Sequence, residues 1–215
     1  MACGSTEGAP SGEAPKAATG ARASALRFSE ALSGYMAAAE DYDAGYRAGR
    51  AAGARVRYEA TARIGDLDAF LRDPQHAADM TGVVDVAGLG RAMPIEEGRI
   101  EMFCRRGDRK VIAYHLPFRQ GERRYLLQGE KYIQNDPGFD VWKDMTTLHA
   151  ELLDLSSAPD GPPMAVGILR IGPLGALRML FTFRGAGVRA TANASLRFLL
   201  FSSRELRDTY GLFPW

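Results

Sequence analysis

The stretch RVRYEATARI, Arg55 to Ile64, decides the fold of this chain because its apolar and polar residues alternate without a break. One side of the stretch carries Val56, Tyr58, Ala60, Ala62 and Ile64, and the other carries Arg55, Arg57, Glu59, Thr61 and Arg63. A period of two is typical of a β-strand with one buried and one solvated face. The sequence on both sides should therefore supply strands that pair with this one.

Further strand patterns follow, separated by short turn signals rich in Gly, Pro and Asp. They cover residues 81–86, 98–104, 110–118, 124–133, 145–154 and 164–171. Short turns between successive strands indicate hairpins, and hence an antiparallel sheet. Upstream, residues 28–36 fit a first strand or a short helix, residues 37–53 indicate a loop with one helical turn, and Asp66 caps a short helix. The predicted fold class is mainly β (α+β overall), a curled antiparallel sheet forming a lipocalin-like barrel or paired sheets.

The two ends of the chain differ from this central β region. Residues 1–25 are mostly Ala, Gly, Ser, Thr and Pro, with little apolar surface to bury, and predict a disordered tail before a single domain at 26–215. From about residue 173, leucines and phenylalanines alternate with arginines and predict two C-terminal helices. We interpret them as a cover for the sheet. The alternatives are a helix pair on an anionic membrane surface or a docking surface for a protein partner.

Composition excludes several classes of function. The 27 Lys and Arg residues balance 26 Asp and Glu residues, so the net charge of +1 gives no field that would attract nucleic acid. Cys3 and Cys104 lack the spacing of a disulfide framework or a metal site. The turn at Gly88 and Gly90 lacks the third glycine of a dinucleotide-binding motif, and no cofactor is predicted. The absence of a recognisable secretory signal favours a cytoplasmic location.

Lys131 is the most informative polar residue of the predicted strands. If it points inward with Leu127 and Ile133 it needs a partner, because an unpaired buried ammonium is very costly. The candidate partners are Glu30 and Glu130. An internal pocket would have apolar walls and few polar groups, with Lys131 or His149 as its anchor. Its predicted lining is Phe103, Tyr114, Leu116, Tyr125, Leu127, Lys131, Trp142 and Leu148.

An alternative hypothesis makes the chain a small hydrolase, isomerase or oxidoreductase. His149 and Glu151 lie two residues apart on one strand face, where they could share a proton or a metal ion, and His115 would complete the set. Such a pair is more often part of a solvated face. We therefore favour a protein without a catalytic centre.

The strands also show a weak internal similarity. Residues 28–35 and the strand at 58–64 resemble residues 125–132 and the strand that follows them. Residues 81–90, TGVVDVAGLG, resemble residues 166–175, VGILRIGPLG. A duplicated β unit of this kind would build a pseudo-symmetric barrel or sandwich.

Several blocks resemble a known accessory region. They are FSEALSGYM, DLDAFLRDPQHAADMTGVVDVAGLGRAMPIEEGRIEMF, HLPF, LLQGEKYIQNDPGFDVWKDMTTLHAELL and VGILRIGPLGALRMLFTFRG. The region they resemble is joined or related to cholesterol-oxidase-like flavoproteins of the glucose–methanol–choline oxidoreductase family. The similarity covers most of residues 28–185, and its most specific parts are DPGFDVWKDMTTL at 136–148 and GILRI at 167–171.

The resemblance implies a function but not the oxidase chemistry. The flavin-binding turn and the active-site residues of that family have no counterpart here, so the chain resembles the accessory module standing alone. It implies a non-catalytic domain that holds a lipid or steroid-like molecule. It also implies a flavin-dependent oxidoreductase as a partner, for which the chain would alternatively be a docking module.

Overall fold

The computed structural model describes residues 25–135, 141–157, 161–172, 175, 181–185 and 187–210. The strands within this part are β1 (Leu26–Ala37), β2 (Arg55–Ile64), β3 (Ala77–Val86), β4 (Gly90–Pro94), β5 (Gly98–Arg106), β6 (Arg109–Gln120), β7 (Arg123–Ile133), β8 (Thr147–Asp154) and β9 (Ala165–Arg170). The helices are α1 (Tyr42–Ala52), α2 (Leu67–Arg72), α3 (Val141–Thr146) and α4 (Val188–Tyr210).

Eight of these strands close into an antiparallel barrel. Their order around the barrel is β1, β2, β3, β5, β6, β7, β8 and β9, and β9 pairs back to β1. Strand β4 pairs with the end of β3 and lies outside the ring. The prediction of a mainly β, curled antiparallel sheet is confirmed, and of its two forms the chain adopts the barrel. The tail predicted at residues 1–25 lies outside the described residues except for its last position.

The register of the strands assigns one face of each to the interior. On β1 and β2 the inward residues are the even-numbered ones, and they are buried throughout. On β6, β7 and β8 the inward side chains include Tyr114, Leu116, Leu127, Lys131 and Leu148. The alternation that predicted the strands therefore also identifies the core.

The closure of the barrel, where β1 meets β9, depends on glycine. A Cβ atom on Gly34 would lie 1.9 Å from the carbonyl oxygen of Ile168, and one on Gly167 would lie 2.2 Å from that of Tyr35. Two further inward glycines, Gly82 and Gly129, show equally close approaches to neighbouring strands. Glycine allows the backbones to approach and the strands to bend sharply. We call the β1–β9 junction the seam.

Helix α1 covers the outside of the seam, where the sequence predicted a loop with one helical turn. Asp41 caps the helix by accepting a hydrogen bond from the Ala44 N–H at 2.7 Å. On its inner face, a Cβ on Gly45 would lie 2.1 Å from the Val166 carbonyl oxygen and one on Gly49 would lie 2.6 Å from that of Met36. Packing against the seam therefore stabilises α1, although its glycines have a low intrinsic helix propensity.

The internal similarity corresponds to two three-stranded units, β1–β2–β3 and β7–β8–β9. In the first unit Ala60 is paired with Gly82, and in the second Ala150 is paired with Gly167. Both glycines face inward, and at both the backbone closely approaches a neighbouring strand. The two units lie side by side and meet at the seam.

Helix α4 closes one end of the barrel. Its Phe198 ring lies 5.5 Å from that of Phe28, and its Phe201 ring lies 5.8 Å from those of Phe70 and Phe103. The expected covering role is therefore found in α4. The first of the two predicted C-terminal helices falls mostly outside the described residues, and Arg184, after it, pairs with Arg27 as extended backbone.

Replacing Gly167 by Ala tests the seam. We expect Gly167→Ala to lower the free energy of unfolding by about 2 kcal/mol or more, because the added methyl overlaps the Tyr35 carbonyl and forces the strands apart. Urea unfolding followed by circular dichroism measures the change. Gly65→Ala is the matched control, since a Cβ there meets nothing within 4 Å. Equal stability of both variants would show that the seam does not require glycine.

Candidate functional site

Four polar side chains meet inside the barrel. Glu30 on β1, Tyr58 on β2, Tyr114 on β6 and Lys131 on β7 all face inward, and each is at least 93% buried. We call these four residues the polar cluster. The inward side chains around them are apolar, so within the described residues the cluster is a localised polar centre of the barrel.

The Glu30 carboxylate is the acceptor for the other three groups. The Tyr58 hydroxyl donates to its Oε1 at 2.8 Å, and the Tyr114 hydroxyl donates to its Oε2 at 3.3 Å. Lys131 Nζ donates to the same Oε2 at 3.5 Å and lies 4.9 Å from the centre of the Tyr114 ring. The sequence predicted a carboxylate partner for Lys131, and it is Glu30. Glu130 faces outward, 3.9 Å from the Arg106 guanidinium.

Burial sets the protonation of the polar cluster. Burial, reinforced by the Glu30 charge, raises the pKa of Tyr58 and that of Tyr114 well above the ordinary value, so both hydroxyls remain donors. Burial lowers the pKa of Lys131, and the adjacent Glu30 carboxylate acts against this by favouring the ammonium. Lys131 Nζ and Glu30 Oε2, 3.5 Å apart, are within ion-pair distance.

Small inward residues lie next to the polar cluster. Ala60 is the register partner of Glu30, and Gly82 follows it on β3. On the other unit, Gly129 is the partner of Tyr114, and Ala150 and Gly167 continue the same row. These positions give the long side chains of the cluster room to meet. An eight-stranded barrel has an interior that side chains can fill or that holds one small ligand.

The structure brings together most of the predicted pocket residues. Tyr114, Leu116, Tyr125, Leu127, Lys131 and Leu148 all face the barrel interior and are buried. Phe103 is buried too, but it lies at a bulge of β5 with a φ of 54° and contacts Phe201 of α4. Trp142 lies on α3 and is 54% exposed, so its side chain does not line the interior.

The residues of the enzyme alternative lie on the outside of the barrel. His115 and Glu151 line an outer groove of about 670 Å³. Gln128 stands between them in the strand register, so their backbones are roughly 10 Å apart. Both Glu151 oxygens are engaged, one by the Tyr42 hydroxyl at 2.9 Å and the other by the Gln128 amide at 3.1 Å.

His149 lies beside this groove between two tyrosine rings. Its ring centre is 5.3 Å from that of Tyr42 and 4.9 Å from that of Tyr132. Burial lowers the pKa of His149, and burial does the same for His115, so both imidazoles favour the neutral form. Within the described residues, no group of three or more His, Cys, Asp and Glu side chains is arranged to hold a metal ion. Cys104 is buried and free, and burial raises the pKa of its thiol.

Sequence reasoning missed one member of the polar cluster and left another outside the predicted pocket. Alternation predicts that Tyr58 lies on the buried face of its strand, and a buried tyrosine hydroxyl needs a hydrogen-bond partner. That requirement could have linked it to Glu30, which falls on the inward face of β1. Glu30 was named only as a partner for Lys131.

Comparisons of this chain with protein-family models, with curated proteins and with solved structures found no match. The resemblance to the accessory region of cholesterol-oxidase-like flavoproteins therefore stays a prediction.

Breaking the buried ion pair tests how the polar cluster is held. We expect Lys131→Met to lower the free energy of unfolding by about 3–5 kcal/mol, because it leaves the Glu30 charge buried without its ammonium partner. Lys131→Met combined with Glu30→Gln removes both charges and should recover most of that loss. Urea unfolding gives the values, with the exposed Lys143→Met as control. A single variant as stable as the double variant would mean that the two charges do not depend on each other.

Alkaline unfolding tests the buried Tyr58 hydroxyl. Its pKa is 10.0 when unfolded and higher when folded, so above pH 10 the unfolded chain releases a proton that the folded chain retains. The folding equilibrium constant should then fall by up to about tenfold per pH unit through this group alone. The lowered pKa of Lys131 changes stability with pH in the opposite direction, and it does so equally in the wild type and in Tyr58→Phe. Urea unfolding from about pH 9 to 11 should therefore show a shallower decline in Tyr58→Phe than in the wild type. Equal dependence of stability on pH in the two proteins would show that burial does not raise the pKa of Tyr58.

Proposed function

We propose that the barrel binds one small, mainly apolar molecule that carries a single neutral polar end, a hydroxyl or a carbonyl, and does not transform it. The observation that carries the proposal is the polar cluster, in which three donors meet the Glu30 carboxylate among buried apolar side chains. Binding sites for small molecules commonly combine apolar walls with a few placed polar groups.

Stability alone gives a weak reason for the polar cluster. A buried ion pair is often no better for stability than apolar residues of the same size, because both charges lose their hydration. A role in binding supplies a reason for retaining it. Lys131 has three N–H donors, and the described residues give it one acceptor, Glu30, at 3.5 Å.

The geometry of the polar cluster favours an oxygen as the group it would bind. The Lys131 and Tyr114 contacts with Glu30 are longer than the usual N–H···O and O–H···O hydrogen bonds. A ligand hydroxyl could accept from the Lys131 ammonium and donate to the Glu30 carboxylate, and a carbonyl could accept from the ammonium alone. A carboxylate head would add a negative charge next to Glu30. We therefore favour a sterol-like alcohol or ketone over a fatty acid.

The resemblance to an accessory region of steroid-oxidising flavoproteins points to the same class of molecule. A flavin-dependent oxidoreductase as the protein that delivers or receives it is part of this proposal. The two arguments are independent, because the resemblance rests on sequence similarity and the polar cluster rests on the chemistry of the barrel interior.

Equilibrium binding of labelled lipids tests the proposal. We expect saturable one-to-one binding of a sterol and weaker binding of oleate, with native mass spectrometry of the purified protein revealing any co-purified molecule. The Lys131→Met, Glu30→Gln double variant should bind the sterol about tenfold more weakly or worse, since hydrogen bonds to charged groups contribute about 1.5–3 kcal/mol.

The control for this experiment is Glu151→Gln, which changes a carboxylate on the outside of the barrel. It should bind the sterol like the wild type. No saturable binding of any lipid class would reject the internal site. Sterol binding that the double variant retains in full would reject the polar cluster as the anchor.

A further inference from the structure

The outward side of α4 combines exposed leucines with arginines. Leu196, Leu199 and Leu200 are 57%, 43% and 61% exposed, although they lie in the middle of a 23-residue helix. The inward side of the same helix is occupied by Ala194 and Phe198, which are buried against the barrel end. The helix is therefore fixed with a set of apolar side chains directed away from the protein.

Arginines flank the leucines at both ends on that same side. At about 100° per residue, Arg189 and Arg207 project in nearly the same direction as Leu196, and Arg204 lies within a quarter turn of it. All three arginines are exposed. We call Arg189, Leu196, Leu199, Leu200, Arg204 and Arg207 the outer face of α4.

Of the acidic residues of α4, Glu205 lies opposite the leucines, and Asp208 lies beside Arg204, one turn along the helix. Glu205 accepts from Lys110 Nζ at 2.8 Å, and Asp208 lines a groove together with Lys110 and Glu205. Arg197, at the border, is paired with Asp68 of α2. The outer face itself therefore contains leucines and arginines and no carboxylate.

We propose that the outer face of α4 binds an anionic lipid surface. A helix with an apolar stripe bordered by arginines can lie in the plane of a membrane interface, with its leucines among the acyl chains and its arginines at anionic headgroups. The helix is about 35 Å long, which gives an extended contact. Within the described residues, no helix is long and apolar enough to cross a membrane.

The charge and the shape of the outer face favour a lipid surface over a second copy of the chain or an acidic protein. A second copy of the chain would bring two arginine-bearing faces together, which is unfavourable. An acidic protein would have to build a groove around one convex helix, whereas a lipid surface adapts to it.

Co-sedimentation of the full chain with lipid vesicles tests this inference. We expect binding to phosphatidylcholine vesicles containing about one-third phosphatidylserine, no binding to pure phosphatidylcholine vesicles, and weaker binding as salt screens the arginines. Leu196→Ser with Leu200→Ser should weaken the binding about tenfold or more. Arg204→Gln and Arg207→Gln should each weaken it about fivefold.

Two control variants match these changes at other exposed positions. Met164→Ser removes an apolar side chain that is 47% exposed before β9, and Arg91→Gln removes a positive charge on β4. Both should sediment like the wild type, and so should the Lys131→Met, Glu30→Gln double variant, because the inference does not depend on what the barrel binds. Circular dichroism checks that every variant keeps the β spectrum.

Several outcomes would overturn the inference. Equal binding to both kinds of vesicle would show that anionic lipid is not recognised. Binding unaffected by the leucine and arginine variants would place the contact elsewhere. A dimer that Leu196→Ser with Leu200→Ser dissociates would make a second copy the occupant.

Discussion

The seam between β1 and β9 is the constraint on which the rest of the structure depends. Gly34 and Gly167 allow the first and last strands of the barrel to approach from the inside, and Gly45 and Gly49 allow α1 to lie against the same strands from the outside. An unclosed sheet would expose two strand edges. It would also leave Glu30, on β1, without the enclosure that buries it with Lys131.

Closure also determines the chemistry of the interior. The polar cluster takes its members from two pairs of consecutive strands, β1–β2 and β6–β7. Only the closed barrel brings Glu30 of the first pair within reach of Lys131 of the second, 101 residues along the chain. In water these four groups would be individually hydrated and would interact weakly. Inside the barrel the low dielectric strengthens each contact and makes each unmet group costly.

The sequence was sufficient for most of the fold and for part of the site. Alternation gave β2, β5, β6 and β7 within a few residues, because a half-buried strand must repeat every two positions. It failed for α1, since glycines and alanines carry no periodic signal and the helix is selected by contact with the seam. It also failed for Trp142, which was assigned to the pocket for its apolar ring but lies on α3. Glu30 could be predicted as the partner of Lys131, because a buried ammonium requires one. Tyr58 gave no such signal, because it fits the apolar face of the regular alternation in β2.

The pairing of the first barrel strand with the last has a consequence for biosynthesis. Strands β5 to β8 can form hairpins as soon as they are made, whereas β1 has one free edge until β9 has been synthesised. A nascent chain thus carries an unpaired edge through most of its translation, and such edges recruit other chains. The final pairing is also the most non-local one in the barrel, and contacts of that kind form slowly. Expression at a low level, which keeps such chains apart until β9 has been made, should therefore favour the closed barrel over aggregates.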